Sequence, residues 1–592
     1  MPPKGGIRKR FFGNGRSLSP LNEAESATAH VRGGVRRRLG EAFFSFGLSG
    51  TSAPLLQTRR DWGQGKLSAK QVVDYMKSAE QQGAENLPRV SSMNHPQNLH
   101  RSLVAAFGKL KGSPDFVWVE LPTTKGVMSH PFLLPHMWFA ELHSSNSQSW
   151  EDLLGERGAI PFFWRKMAES PFLRHHPHLA KANLKFTVPL GLHGDAGAFS
   201  NNDSLYVFSW NSLVHQGTTR DTRHVITLIK KSLITEGTLD VISKVMGWSF
   251  NVLLSAVHPS ADWDGRDMEG GDAYLAQKYR GALSQVRGDW EFFCSFLGLP
   301  KWSETQSMCW LCEASGMADR LRYSNHALDA PWRATRRTHE KFLAGLAAKG
   351  KDVAPMFKHT TGLRLECVMI DVLHTADLGV TAHILGNILW ECVVAKVWGE
   401  AIQDGNVAEC MKAIEQFYKH NKTTSKLQGK LTVDRLRTTG GWPKLKSKAA
   451  AARHLVPFAV GLARLHLDER RLALCRLLER FYVILNHEGQ FLSDHAKVEL
   501  PRLGLRLCVL FSQLASEAAM SRQKLWKTSP KLNLFQHICE WQSIESGNPR
   551  FYWCYADEDL VGQLIEVAEA CHAKTMAVTA MYKWLTLVFA SN

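Results

Sequence analysis

The sequence predicts an α/β fold: a mixed sheet core carrying large, mainly α-helical insertions and extensions. Three observations carry this reading. Between residues 183 and 300, three apolar runs precede a stretch of helical spacing and then a short fourth run. From Leu378 onward the apolar spacing is chiefly helical. Finally, the stretch His193 to Ser212 follows one alternating run and leads into another, which predicts two strands joined by a turn.

From Met1 to about Thr58 the chain is rich in Gly, Ser and Arg, with basic groups at Lys4, Arg8, Lys9, Arg10, Arg36, Arg37 and Arg38. Residues 1–58 read as a disordered basic arm, either an import signal or a phosphate-contacting tail, with a merely solubilising tail as the plain alternative. Residues 59–182 form an α-rich region with helical patterns over Ala69–Gln82 and Leu99–Leu110, and its His175, His176 and His178 read as a solvated turn.

The first part of the core spans residues 183–300. Its first strand alternates at Leu184, Phe186, Val188, Leu190 and Leu192, which places Asp195 where that strand ends and a hairpin turns. Gly-Asp before Gly is also ordinary turn chemistry. Pro189 lies inside the strand and removes a ladder donor, so the strand starts late or carries a bulge. A third run covers Val225–Ile229, and Thr238–Val257 repeats with helical spacing at Val241, Val245, Trp248, Val252 and Leu253. After a Gly/Asp-rich loop, Tyr279–Val286 reads as a fourth strand closed by Gly288, Asp289 and Trp290. This succession resembles the ribonuclease-H-like fold, in which the first and fourth strands are neighbours and each delivers a carboxylate to one metal site.

Residues 301–377 hold Cys309 and Cys312, a basic and aromatic stretch, and an apolar run, Leu365–Ile370, that leads into Asp371-Val372-Leu373-His374. Residues 378–530 form a helical basic insertion. Between Lys419 and Arg453 its lysines and arginines face only Asp434, a density that suits phosphate contact as well as a solvated helix face. Residues 531–592 supply C-terminal helices that complete the core. The aromatic cluster Phe551–Tyr555 precedes a helix opened by Asp557, Glu558 and Asp559, where the helix dipole alone favours acids.

The chain has 592 residues, 44% of them hydrophobic and 21% charged, with a formal charge of +17 and a pI near 9.4. That balance favours a polyanionic partner, with nucleic acid ahead of a membrane surface. The most apolar long stretch, Gly379–Trp398, is interrupted by His383, Asn387, Glu391 and Lys396 and reads as a buried helix; no N-terminal signal core follows Met1. Eleven scattered cysteines point to reduced thiols in an intracellular compartment. With no Gly-rich phosphate loop and no Gly-x-Ser-x-Gly elbow, a small-molecule enzyme on another α/β fold is disfavoured.

The order of these features resembles the transposases of CACTA (En/Spm) type transposons, across residues 180–585. The matching positions are Asp195 with Ser209-Trp210-Asn211-Ser212, then Asp289, Cys309 and Cys312, Asp371 with His374, and Trp553, Tyr555 and Glu558. Two departures stand out: Ala196 separates Asp195 from Gly197, and Asp559 rather than a basic residue follows Glu558. The resemblance implies a DDE transposase, nuclear and DNA-binding, with Mg²⁺ (or Mn²⁺) held by Asp195, Asp289 and Glu558. Asp371 competes with Asp289 for second acid, and Asp557 and Asp559 compete with Glu558 for third. His374 would orient the scissile phosphate or a water. The partners expected are DNA and a second copy of the chain, with no membrane; the rival is a domesticated, inactive nucleic-acid-binding or scaffold protein of the same fold.

The chemistry gives these acids a reason. Strand cleavage and joining build negative charge on the entering and leaving oxygens, and two divalent ions can stabilise both. Such hard cations take carboxylate oxygens rather than thiolates. Cys309 and Cys312 instead have the spacing of half a structural zinc site, with Cys294 and His326 as candidates to complete it and two buried free thiols as the alternative.

Overall fold

A computed structural model of the chain describes residues 52–81, 99, 102–104, 110, 112–200, 202–269, 271 and 273–589. The expected basic arm therefore lies outside the described residues, except at its end, where Ser52–Gly63 is already helical. The helix expected over Ala69–Gln82 spans Ala69–Gln81, and Val72, Val73 and Met76 form its buried face. The region before residue 183 is not wholly helical. It contains a hairpin of β1 (Val117–Thr123) and β2 (Gly126–Phe132) that the helical patterns gave no hint of. Nor is the histidine turn wholly solvated: His176 is buried, and its Nδ1 accepts the amides of His178 and Leu179.

The central sheet has four strands: β3 (Thr187–Ser200), β4 (Asp203–Ser212), β5 (His224–Lys230) and β6 (Arg280–Arg287). Their order is β5-β4-β3-β6, with β6 parallel to β3 and the other neighbours antiparallel. The fold is thus mixed α/β, mostly helical around a four-stranded mixed sheet. Thr187 to Gly194 are buried without a break, as are Leu205 to Ser212, which means that helices cover both faces of this sheet. Pro189 is accommodated as its chemistry requires: the register between β3 and β6 shifts at Leu190/Gly191, and the Pro189 carbonyl accepts the amide of Leu213 past the end of β4.

Helix Glu236–Ser255 begins at Thr235, whose hydroxyl accepts the Thr238 amide. It buries Ile242, Val245, Met246, Phe250 and Leu253 against β6 and the β1 hairpin. The run Leu365–Ile370 is not a full strand. A 3-10 turn over Leu365–Cys367 is followed by a single parallel bridge from Val368 to Val286 of β6, enough to carry the chain along the sheet edge to Asp371.

Beyond Asp371 the chain enters a π-helical segment, Leu373–Thr381, that continues as the helix Ala382–Val394. The helical insertion follows. Among the described residues one helix, Asp494–Met520, is long and apolar enough to cross a membrane; here Leu500, Leu503, Leu507, Phe511 and Leu514 are buried, and the helix packs on Glu469–His487 and Pro530–His537. Helix Tyr555–Glu569 returns to pack on β3. A further helix, Met576–Phe589, packs on β5 and on the helix Ser52–Gly63. One continuous apolar core joins the sheet to the insertion.

Candidate active site

Asp195 does not sit at a turn. It lies within β3, paired with Val207, and the hairpin turns after Ser200. The glycines beside it serve close packing: a Cβ on Gly194 would lie 2.2 Å from Cε2 of Phe292, and one on Gly197 would lie 2.3 Å from Cδ1 of Ile565. Across from Gly194, a Cβ on Gly288 would fall 2.7 Å from the Gly194 carbonyl oxygen. Backbone can therefore approach backbone here, drawing the end of β6 and Asp289 up to Asp195.

Asp289 caps the helix Trp290–Leu297, its Oδ1 accepting the Phe292 amide at 2.7 Å. Burial raises its pKa, opposed by that amide and reinforced by the charge of Asp195. Glu558 comes from the first turn of helix Tyr555–Glu569 and lies close enough to Asp195 for the two carboxyls to interact. Its pKa is pushed up to about 9, by burial first and then by Asp195, while His374 opposes the shift. Its Oε1 is buried without a hydrogen-bond partner.

The neighbours of Glu558 have other work. Asp557 points into the interior, where Arg223 Nε donates to it at 2.6 Å and Arg287 Nε and Nη2 each donate at 3.1 Å. The two guanidiniums hold its carboxyl far below the usual range despite full burial. Asp559 accepts from Gln563 Nε2. A group of His193, Cys554 and Asp557 lies within ligand spacing, but its carboxylate already faces these two arginines.

Asp371 is also part of the cluster, and both of its oxygens are engaged. Oδ2 accepts the amide and the Nδ1 of His374, each at 2.8 Å, and Oδ1 accepts the Cys554 amide. The His374 Nε2 lies 3.6 Å from Glu558 Oε1. Burial lowers the His374 pKa but Asp371 outweighs it, leaving the imidazole up at about 9 and cationic at neutral pH. Asp371 thus positions His374, whereas Asp289 keeps an oxygen that no hydrogen bond claims among the described residues.

The remaining motif residues are structural. Trp210 is fully buried against His224, and Asn211 Oδ1 accepts Arg287 Nη2 at 2.6 Å. Tyr555 donates to Asp377 of the π-helical segment at 2.5 Å, and Arg453 stacks over Trp553 and Tyr555. Carboxylate oxygens of Asp195, Asp289 and Glu558 drawn to one place, one of them without a hydrogen-bond partner, are the donor set that a hard divalent cation takes.

Cys309 and Cys312 acquire a partner that the sequence reading missed: His537, whose Nε2 lies 3.3 Å from Cys312 Sγ. Burial raises both thiols, yet bonding from Cys312 and the proximity of His537 hold Cys309 well below its ordinary value. The amides of Leu311 and Ala314 point at the two sulfurs. Of the earlier candidates, Cys294 donates to the Pro300 carbonyl. His326 uses Nδ1 on Gln536 and leaves Nε2 buried without a partner.

A cavity of about 900 Å³ opens onto the cluster at Asp289, Asp371 and His374 and extends to Lys444, Lys527 and Lys531. Compared with known proteins, the chain matches no family model and no curated sequence.

Proposed function

We propose that the chain is a DDE-type polynucleotidyl transferase on a ribonuclease-H-like core, a transposon-derived protein of the CACTA kind that cleaves and joins DNA in the nucleus. The observation that carries this reading is the convergence of Asp195, Asp289 and Glu558, from a strand, the end of its parallel neighbour and a helix some 270 residues further on, into one cluster with the Asp371–His374 pair. The strand order supports it too, because β6 runs parallel beside β3 and both lead to the acids. The basic overall charge fits a nucleic-acid partner.

Asp195, Asp289 and Glu558 would hold Mg²⁺ or Mn²⁺, which when bound stabilises charge on the entering and leaving oxygens of the phosphodiester. His374, kept cationic by Asp371, offers its Nε2–H to a non-bridging phosphate oxygen beside Glu558. Asp371 fixes the ring orientation. Cys309, Cys312 and His537 would hold a structural zinc ion that ties the segment after Asp289 to the helix carrying His537.

The test is metal-dependent nicking of DNA by the full chain. Losing a carboxylate that positions the metal removes several kcal/mol of charge stabilisation, so Asp195→Asn should fall by about 1,000-fold. Equal activity in both proteins refutes the site. Metal binding without cleavage by the wild type refutes the transferase and leaves the inactive relative.

A further inference from the structure

The cavity beside the cluster is lined by groups the proposed chemistry does not use. Lys444 comes from the basic insertion, Lys527 from the turn after the long helix, and Lys531 from the first turn of helix Pro530–His537. Close packing against the π-helical segment and its continuation sets two of them. A Cβ on Gly386 would lie 2.5 Å from the Lys444 Cα, and one on Gly379 would lie 2.8 Å from the Lys531 Cδ. The Lys444 amide donates to Leu436 and the Leu445 amide to Ala382, so the backbone around Lys444 is pinned. Lys531 Nζ donates to the His374 carbonyl at 2.7 Å.

No carboxylate pairs with Lys444 or Lys527 among the described residues. Burial and the neighbouring lysine lower the Lys531 pKa to about 8, and burial and Lys527 lower that of Lys444. Asp289, Glu291 and Asp371 line the same cavity, yet among the described residues none of them pairs with these lysines, and three such cations favour an anionic occupant. Trp302 lines the same cavity with 64% of its surface exposed, an aromatic face open to a ligand.

We propose that this cavity receives an unpaired DNA strand next to the carboxylates, with Lys444, Lys527 and Lys531 holding backbone phosphate and Trp302 stacking on a base. This rests on reading the carboxylate cluster as a polynucleotide site. An unpaired strand is favoured over a duplex because a base must leave its stack to lie on the indole, while phosphate contact alone is indifferent to pairing.

The experiment is fluorescence anisotropy of the full chain with a labelled single-stranded oligonucleotide and the same sequence as a duplex, in EDTA, over a salt series. Lys444→Gln with Lys527→Gln should lower the slope of log affinity against log salt by about 0.7 per lysine on the single strand. Trp302→Ala should weaken single-strand binding roughly 5- to 100-fold and duplex binding much less. Lys419→Gln with Lys422→Gln, outside the cavity, serves as the charge control and should change the slope less. An unchanged slope in the cavity pair, an equal drop in the control pair, or equal losses on both DNAs with Trp302→Ala overturns the proposal. Because EDTA removes cleavage from the readout, failure of the nicking assay leaves this result standing, and failure here leaves nicking untouched.

Discussion

Glu558→Gln should stabilise the metal-free protein, and only at neutral and alkaline pH. The folded chain keeps the Glu558 proton to about 9, against an ordinary value of 4.5, because the carboxyl is buried and interacts with Asp195. A group whose pKa is raised by folding contributes stability that is fully present below its unfolded pKa and is lost as pH rises through the folded one. Here the window is pH 4.5 to 9. Each pH unit in that window costs about 1.4 kcal/mol for one proton, so the ceiling between pH 5 and 8 is about 4 kcal/mol.

The side chain is 31% exposed, which calls for discounting that ceiling to about 2 kcal/mol. Glutamine keeps a neutral partner for Asp195 and titrates nothing. His374 loses stability in the same direction from pH 6.5 upward in both proteins, chiefly through Asp371, and less in the variant because Glu558 is a smaller cause of its raised pKa. Urea unfolding in EDTA should therefore give equal stabilities at pH 5 and an advantage of about 2 kcal/mol for the variant at pH 8. Added Mg²⁺ should reverse the order. At 100 times its Kd a ligand adds about 2.7 kcal/mol to the wild type, and Glu558→Gln would lack much of that affinity. Parallel pH profiles in EDTA would refute the reasoning, since they would mean that Glu558 holds no extra proton.

Two further outcomes separate the roles assigned to neighbouring residues. Asp557→Asn should cost about 3–5 kcal/mol in urea unfolding because it strands two buried guanidiniums, whereas Asp559→Asn, at a half-buried position, should stay within about 0.5 kcal/mol. Protein made with zinc supplied should carry about one zinc ion per chain by elemental analysis. Cys309→Ser and His537→Ala should lose the zinc while Cys294→Ser keeps it, and a wild type free of zinc would refute that site.

What could be read from the sequence was what local pattern encodes. Alternation located β3 and β4, a continuous apolar run located β5, helical spacing located Glu236–Ser255, and the bulge at Leu190/Gly191 follows from a proline in a ladder. The errors arose where a long-range contact decides. Gly194 and Gly197 look like turn glycines, yet their reason is the approach of Phe292 and Ile565, one about 100 and the other more than 300 residues away. The β1–β2 hairpin went unseen because only Val119, Leu121 and the Phe132 end are buried, too few positions to mark a period. His537 lies 225 residues from Cys312, and no spacing rule reaches that far. Asp557 and Glu558 could not be told apart by composition, because both suit a first helical turn.

The structure separates those two acids by direction, and the direction has a cause. Successive residues on a helix point about 100° apart, so when Asp557 faces the interior Glu558 must face elsewhere. Asp557 is held by Arg287, the last residue of β6 and two before Asp289, and Arg287 is held in turn by Asn211 of β4. Arg223, just before β5, grips the other side of the same carboxylate. A single buried cluster thus fixes the helix that carries Glu558 against the strand end that carries Asp289, while the Gly194–Gly288 approach fixes that strand end against Asp195. The geometry of the three candidate ligands is therefore set by residues that touch no metal. Asn211 and Arg287, rather than the acids alone, are the positions at which a conservative substitution should spread the site apart while leaving its carboxylates intact.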